Sequence, residues 1–315
     1  MEPKQKEYLS GTMNHLLPSP KKLIVIAGPT AVGKTAAAIK LAQQLKTEII
    51  SADSRQFYRE MSIGTAKPDA VELAQAKHHF IDSHSITENF NVGDFEKQVL
   101  QLLDELFKTH NQVIMVGGSG LFIQAVTQGF DNLPTADPET REQLNHELAE
   151  KGIGYLQEKL KEADQDYYNQ VDLNNPQRLI RALEVFEATG KPFSSYRKAT
   201  INTRPFESIK IVLDLAREEL YNRINLRVNM MVEQGLVEEV RSLLPHRHLN
   251  ALNTVGYSEL FDYFDGKTDL QTAIDLIKQN TRRFAKRQLT WFRKDKDMKW
   301  LNATSENLLE LLAKA

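Results

Sequence analysis

The sequence predicts an α/β fold, in which a parallel sheet flanked by helices is interrupted by an all-helical insertion. Two strand-like apolar runs end in glycine-rich loops that lead into helical patterns. The stretch 131–206 has the pattern of polar, charged helices without a good strand, and an apolar strand pattern resumes after it. We therefore expect a core formed by 21–130 and 207–315 around a helical insertion at 131–206.

The composition is that of a globular protein with a sizeable core. Of 315 residues, 41% are hydrophobic, and no apolar stretch approaches the length needed to span a membrane. The segment 1–20 is polar and has no hydrophobic signal core, so we expect a disordered leader. The absence of cysteine excludes disulfides, thiolate zinc sites and cysteine nucleophiles, and it favours a cytoplasmic protein.

The first element is a strand at 23–27, followed at once by a phosphate-binding loop and a helix at 35–46. The loop matches the P-loop pattern, in which glycines turn backbone N–H groups inward and the helix N-terminus adds positive potential. Lys34 supplies a mobile positive charge, and the Thr35 hydroxyl is placed to hold Mg²⁺. The loop consists of Gly28, Pro29, Thr30, Ala31, Val32, Gly33, Lys34 and Thr35. The core is therefore expected to be P-loop NTPase-like.

Two further strands bring other residues to the same crevice. The strand at 48–53 ends in Asp53, and the strand at 112–116 ends in a second glycine loop, Gly117-Gly118-Ser119-Gly120. Ligands of open parallel sheets bind beyond the carboxyl ends of the strands, so both loops should face one ligand. His78 and His79 lie at the start of an expected strand at 79–82, where adjacent side chains point to opposite faces, so we interpret them as structural and not as a metal pair.

In the insertion, a helix is expected to begin at Asn175-Pro176 and to end at Gly190. The chain then returns to the sheet with a strand at 211–215, and the long helix that follows carries Arg223 and Arg227 four residues apart on one face.

Charge is divided unevenly along the chain. The net charge of −2 argues against indiscriminate nucleic-acid binding, but 282–299 carries eight basic and two acidic residues. On a helix at 281–293, apolar side chains can anchor one face while Arg282, Lys286 and Arg293 lie away from it. This pattern predicts a local surface for RNA phosphates.

Seven motifs, taken in order, resemble the tRNA dimethylallyltransferase (tRNA isopentenyltransferase) family, and the resemblance extends from Lys22 to Trp300. The motifs are Gly28-Pro29-Thr30-Ala31-Val32-Gly33-Lys34-Thr35, Ser51-Ala52-Asp53-Ser54-Arg55-Gln56-Phe57-Tyr58, Ile63-Gly64-Thr65-Ala66-Lys67-Pro68, Gly117-Gly118-Ser119-Gly120-Leu121-Phe122, Asn175-Pro176-Gln177-Arg178-Leu179-Ile180-Arg181-Ala182-Leu183-Glu184, Val255-Gly256-Tyr257 and Lys286-Arg287-Gln288-Leu289-Thr290-Trp291-Phe292-Arg293. The family commonly has Thr at the position of Ser119 and Tyr at that of Phe122, so a role that needs a phenol at Phe122 is not carried over.

The resemblance implies transfer of a dimethylallyl group from dimethylallyl diphosphate to N6 of the adenosine immediately 3′ of the anticodon. It implies that the insertion grips the anticodon stem-loop of tRNA, and it makes Mg²⁺ the expected cofactor. Asp53 would be the base, and Lys34, Thr35, Ser119 and Arg227 would hold the diphosphate or the reacting geometry. Asp53 could instead be a Mg²⁺ ligand or a turn cap, Ser119 could only close its loop, and Arg227 could pair with a glutamate of its own helix.

The same resemblance supplies the residues expected to bind tRNA. They are Asp53, Ser54, Arg55, Gln56, Ser119, Arg141, Gln177, Arg178, Leu179, Ile180, Arg181, Val255, Gly256, Tyr257, Lys286, Arg287, Gln288, Leu289, Thr290, Trp291, Phe292 and Arg293. We expect a monomer with no membrane partner.

Three other functions compete with this one. A P-loop small-molecule kinase would account for Lys34, Thr35 and Asp53 but leaves the basic C-terminal segment unexplained. An adenylate isopentenyltransferase would alkylate free nucleotide and would not need an insertion for an anticodon arm. A non-catalytic RNA-binding NTPase would need a Walker-B carboxylate, whereas the strand at 112–116 ends in Gly-Gly.

Overall fold

Within the described residues, six parallel strands form one sheet in the computed structural model, which describes residues 20–131, 133–134, 137–197 and 202–314. The strands are β1 (Lys22–Ala27), β2 (Ile49–Ser51), β3 (His78–His79), β4 (Gln112–Gly117), β5 (Glu207–Asp214) and β6 (Lys299–Asn302). Their order across the sheet is β3-β2-β4-β1-β5-β6. Because β1 lies between β4 and β5, the loop after β1 emerges at the middle of the carboxyl edge.

The helices of the core cover both faces of this sheet, which is why its strands are apolar on both sides. The helices, in chain order, are α1 (Lys34–Leu45), α2 (Ala70–Gln75), α3 (Val92–Leu106), α4 (Gly120–Gln128), α5 (Pro138–Ala163), α6 (Gln165–Tyr168), α7 (Pro176–Thr189), α8 (Arg217–Glu233), α9 (Leu236–Ser242), α10 (Tyr257–Phe264), α11 (Leu270–Phe292) and α12 (Leu308–Lys314). In β1, Ile24 and Ile26 pack with α1 and α8, whereas Leu23 and Val25 pack with α3 and α4.

A third apolar cluster joins the helices that follow β5. Val228 of α8, Leu236 of α9, Leu260 of α10 and Ile277 of α11 are all buried in it, together with Met61 from the segment after β2. This helical layer holds α8 and α11 beside the carboxyl edge of the sheet, where the phosphate-binding loop lies.

Residues Thr127–Thr203 form a compact unit of their own, apart from the rest of the chain. Its described part contains α5, α6 and α7 and a separate apolar core. Asn175 caps α7 by accepting the backbone N–H of Arg178 at 3.2 Å, and Gly190 (φ 66°) follows its last turn, which confirms the predicted start and end of this helix.

The structure corrects some predicted boundaries. The strand expected at 79–82 ends at His79, because Phe80 (φ 61°) and Asp82 (φ 53°) take left-handed backbone angles that interrupt an extended chain. The basic helix expected at 281–293 begins already at Leu270, and the edge strand β6 was not predicted. The expected leader, 1–20, lies outside the described residues except for Pro20. Of the helices described, none has the length and apolar character that a membrane span requires.

Candidate active site

The phosphate-binding loop lies directly against the neighbouring strand β5. Gly28 has φ +146°, and a Cβ there would come within 2.6 Å of the Leu213 carbonyl oxygen, so only glycine fits. Ala31 and Gly33 also have positive φ, which turns the loop back toward the start of α1. Sequence and structure therefore agree on a strand, a tight loop and a helix start, the arrangement that binds phosphate groups through backbone N–H groups.

Lys34, the first residue of α1, is half-buried inside this loop. Its ammonium donates a hydrogen bond to the Pro29 carbonyl oxygen at 2.7 Å. Burial lowers the pKa of Lys34 to about 7; the negative charge of Asp53 opposes this shift and the positive charge of Arg227 adds to it. Lys34, Asp53 and Arg227, three of the residues predicted to be catalytic, are thus close enough to affect one another electrostatically.

The second glycine loop is tied to the loop that carries Asp53. The Ser119 hydroxyl accepts the backbone N–H of Ser54 at 3.0 Å, and the Ser119 N–H donates to the Ala52 carbonyl oxygen at 3.3 Å. Asp53 accepts the backbone N–H of Arg55 at 3.1 Å through Oδ1, which closes a turn and fixes the carboxylate. Asp53 and Ser119 therefore face the same space from two adjacent strand ends.

Arg227 reaches this space from α8. Its guanidinium donates to the Ala66 carbonyl oxygen at 3.3 Å. Burial lowers the pKa of Arg227, and the negative charges of Asp53 and Glu72 partly counteract that effect. Pairing with a glutamate of its own helix, the alternative considered above, does not occur among the described residues. That arrangement is found instead at Arg223, which pairs with Glu219 at 2.7 Å.

The segment that offers the Ala66 carbonyl is held by a carboxylate that the sequence did not reveal. Glu239 of α9 accepts the backbone N–H groups of Ser62, Ile63 and Gly64 at 3.0, 2.7 and 2.9 Å. It also accepts the Tyr257 hydroxyl at 2.7 Å, and burial together with Glu239 raises the pKa of that hydroxyl. Three consecutive N–H groups directed at one carboxylate fix this backbone more firmly than any single bond would.

These elements enclose one cleft of about 630 Å³. Thr30, Asp53, Ser119 and Arg227 lie on its wall, so the phosphate-binding loop, both strand-end loops and α8 contribute to one site. The rest of the wall combines polar residues, among them Arg55, Glu259 and Arg287, with apolar side chains that include Leu121, Phe122, Met231, Val255, Phe284 and Trp291. A phosphate-binding loop and apolar side chains in one cleft suit a ligand that joins a diphosphate to a hydrocarbon.

A basic surface on α11 and the residues after it consists of Arg283, Lys286, Arg287, Arg293 and Lys294, all exposed. Arg287 lies over the Phe284 ring at 5.7 Å and Arg293 over the Trp300 ring at 5.6 Å, and both rings are partly exposed. Arg282 does not belong to this surface, because it is half-buried and donates to the Asn225 side chain at 2.6 Å. Cations next to exposed aromatic rings are typical of surfaces that bind RNA.

In the insertion, the arginines expected to bind tRNA surround a buried carboxylate. Arg141 and Arg181 each form an ion pair with Glu184 at 3.3 Å, and Arg141 also donates to the Gln177 side chain at 3.1 Å. Arg178 is exposed.

The sequence comparisons agree with the motifs. The family model described as IPP transferase matches residues 56–295. The chain is 56% identical to the tRNA dimethylallyltransferase of Christiangramia forsetii, over 92% of this chain and 97% of that protein. The chain belongs to the tRNA dimethylallyltransferase family. It is also 50% identical to the tRNA dimethylallyltransferase of Flavobacterium johnsoniae, over 91% of this chain and 94% of that protein.

Solved structures similar to this member of the tRNA dimethylallyltransferase family confirm the predicted fold class. The tRNA isopentenylpyrophosphate transferase of Bacillus halodurans has a TM-score of 0.68 and 38% identity, covering 93% of this chain and 95% of that chain. A eukaryotic dimethylallyltransferase acting on tRNA has a TM-score of 0.74 and 26% identity, covering 93% of this chain and 77% of that chain.

Several residues that the family resemblance assigned to tRNA lie in the protein interior. Leu179 and Ile180 are fully buried in the core of the insertion, and Phe292 and Tyr257 are fully buried in the core unit. Gln56 is also buried, and its amide donates to the carbonyl oxygens of Thr65 and Ala66. The structure therefore assigns these five side chains to packing and to holding loops, because they have almost no surface to offer an RNA.

Proposed function

We propose that this chain, as a tRNA dimethylallyltransferase, transfers the dimethylallyl group of dimethylallyl diphosphate to N6 of the adenosine immediately 3′ of the anticodon. The observation that carries the proposal is the single cleft in which Thr30, Asp53, Ser119 and Arg227 meet. Its phosphate-binding loop and its apolar side chains suit the two parts of the donor, and the relatives' names match the reaction.

The leaving group would be held by the phosphate-binding loop. As the bond between the dimethylallyl C1 and the diphosphate oxygen breaks, the oxygen keeps the bonding pair, and negative charge grows on the diphosphate. Backbone N–H groups of the loop, the Lys34 ammonium and the Arg227 guanidinium would stabilise that charge. Ser119 would orient the diphosphate or the reacting amine from the second glycine loop.

Asp53 would take the proton. The adenine amino nitrogen forms the new bond to C1 with its lone pair, becomes acidic as it does so, and gives one proton to the Asp53 carboxylate. The hydrogen bond from the Arg55 N–H holds one carboxylate oxygen, which leaves the other oxygen available for this proton. The target base has to leave the RNA stack to reach this cleft, as is usual for enzymes that modify bases.

Mg²⁺ is the metal that we propose for the donor. No group of three His, Cys, Asp or Glu side chains that could hold a metal ion occurs in the part of the chain that the structure describes. This fits Mg²⁺, which commonly binds through one or two protein oxygens together with substrate phosphates. Thr35 is the protein group that would hold it together with the diphosphate oxygens, and the ion would neutralise charge on the departing diphosphate.

The tRNA would contact the basic surface of α11 and the insertion 131–206. A groove of about 210 Å³ on the basic surface, lined by Lys286, Arg287, Thr290, Trp291 and Lys294, offers cations for phosphates and a ring for stacking. In the insertion, Arg141, Gln177 and the exposed Arg178 would contact the anticodon stem-loop. A substrate of this kind also favours a cytoplasmic location, and we continue to expect a monomer.

One experiment separates the candidate functions. Purified protein is incubated with labelled dimethylallyl diphosphate and, in parallel, with tRNA, AMP or ATP as acceptor. Label in the anticodon loop, at the adenosine following the anticodon, is the expected result. Label in AMP or ATP alone would support an adenylate isopentenyltransferase. Loss of the terminal phosphate of ATP without any transfer of label would support a kinase or an NTPase and contradict the proposal.

A further inference from the structure

Gln288 of α11, which the family motif assigned to tRNA, uses both polar atoms of its side chain to contact loops of the cleft. Its side chain is buried and lies between two loops of the donor site. The Oε1 atom accepts the backbone N–H of Thr30 at 2.9 Å, and the Nε2 atom donates to the Gly118 carbonyl oxygen at 3.0 Å. One side-chain amide therefore links the phosphate-binding loop to the second glycine loop.

The chemistry of the two loops allows only one orientation of this amide. A backbone N–H requires an acceptor and a carbonyl oxygen requires a donor, and the opposite orientation of the amide would satisfy neither. Space is limited as well, since a Cβ on Gly118 would lie 2.2 Å from Nε2 of Gln288. Gly118 has no positive φ, so its lack of a side chain serves this close contact and not an unusual backbone conformation.

We propose that Gln288 is a positioning residue for the prenyl donor: its amide sets the spacing between the phosphate-binding loop and the loop that carries Ser119. The inference rests on the proposed function for the identity of the donor. Its neighbours on α11, Lys286 and Arg287, are exposed and contact RNA in that proposal, so adjacent residues of one motif serve the two substrates separately. Glutamine is required because neither glutamate nor methionine can both accept from Thr30 and donate to Gly118.

The test compares Gln288→Met with Gln279→Met, an exposed glutamine on the same helix. Each variant is measured for the KM of dimethylallyl diphosphate, for kcat, for the Kd of tRNA and for the Kd of inorganic diphosphate by calorimetry. Loss of the bridge should raise the KM and the diphosphate Kd of Gln288→Met by about tenfold and leave the tRNA Kd within about twofold. Gln279→Met should match the wild type in all four measurements. Weakened tRNA binding with unchanged diphosphate binding in Gln288→Met would overturn the proposal and restore the role in RNA contact.

A second pair of variants guards against misfolding of a buried substitution. Gly118→Ala should displace the amide and reproduce the loss of diphosphate affinity with residue 288 unchanged. In a Gln288→Ala background the clash is gone, so Gly118→Ala should then add little; full additivity of the two losses would overturn the bridge. If the wild type bound diphosphate but alkylated no adenosine, the proposed function would fail. The diphosphate titrations of the variants would still show whether Gln288 positions the two loops for diphosphate binding.

Discussion

Arg227 of the core and two arginines of the insertion are held in opposite ways. In the core, Arg227 is half-buried and donates to the Ala66 carbonyl oxygen, and no carboxylate pairs with it among the described residues. In the insertion, Arg141 and Arg181 share the buried carboxylate of Glu184 at 3.3 Å each.

The difference indicates which unit is prepared for a strongly charged ligand. Taking a cation partly out of water without a paired carboxylate is energetically costly, and burial lowers the pKa of Arg227, an effect that Asp53 and Glu72 partly counteract. In the proposed function, a bound diphosphate would supply further negative charge. Arg141 and Arg181 already share one carboxylate, so Glu184 fixes both side chains and offsets part of their positive charge.

The largest effect is expected from removing the proposed base in the core. Asp53→Asn keeps the shape of the side chain but cannot take a proton, so kcat should fall about 10³-fold, within the usual range for a general base. Single-turnover transfer from labelled dimethylallyl diphosphate measures this, with tRNA binding as the control, which should stay near the wild-type value. Near-normal transfer by the variant would contradict the role of Asp53.

Replacing one arginine of each unit by glutamine tests this comparison directly. Arg227→Gln removes a cation from the donor site and should lower kcat/KM for dimethylallyl diphosphate about 10²-fold. Arg141→Gln should leave that value unchanged and raise only the KM for tRNA. If the two variants lost donor affinity equally, the distinction between the units would be wrong.

Removing the Glu239 carboxylate, which anchors the segment Ser62–Gly64, should lower activity less than the two changes above. Glu239→Gln places an amide NH₂ where three N–H groups converge on Ser62–Gly64, so the segment that supports Arg227 should loosen. We expect about a tenfold loss of kcat and a destabilisation of about 2 kcal/mol. Glu238→Gln, on the exposed neighbour that pairs with Arg241, is the matched control. Equal behaviour of the two variants in activity and in thermal unfolding would exclude a positioning role.

The lowered pKa of Lys34 should make the binding of diphosphate to the core depend on pH. In the free protein the ammonium loses its proton as pH rises through about 7, whereas the diphosphate binds best to the charged form. Affinity for inorganic diphosphate should therefore fall above pH 7, by at most about tenfold per pH unit. Calorimetric titration between pH 7 and 9 of the wild type and of Lys34→Arg measures this. Because arginine stays charged, Lys34→Arg controls for the titration of inorganic diphosphate itself, and a wild-type affinity that keeps the same ratio to that of Lys34→Arg throughout would contradict the shift.

The smallest effect on catalysis is expected in the insertion. Glu184→Gln leaves Arg141 and Arg181 without their shared carboxylate; because both arginines are partly exposed and stay hydrated, the insertion should be destabilised by only about 1 kcal/mol. At saturating tRNA, kcat should be unchanged, because no group of the core is altered. Thermal unfolding and steady-state kinetics separate the two outcomes, and a large loss of kcat would show that Glu184 also serves the reaction.

Much of the site could be predicted because its parts are local in sequence. The strand, loop and helix around Gly28 follow from an apolar run, glycines and helical periodicity, and the position of Asp53 follows from the end of β2. The sequence contains one indication of the role of Gln288, which is a polar residue on the apolar face of α11 beside Phe284 and Trp291. The sequence contains no such indication for Glu239, because it lies next to Glu238 in α9 and no local pattern distinguishes the two.

The sequence by itself determined the kind of sheet, the phosphate-binding loop, the basic surface and the family, because each is a pattern of neighbouring residues or an ordered set of motifs. Tertiary structure decided which side chains face a ligand and which hold the site together. Gln288 meets Thr30 from 258 positions away, and Glu239 meets Gly64 from 175 positions away. Contacts at such separations depend on how α9 and α11 pack beside the sheet. No periodicity or local spacing encodes that packing, which is why Gln288, assigned to RNA by its motif, lies buried between two loops of the cleft.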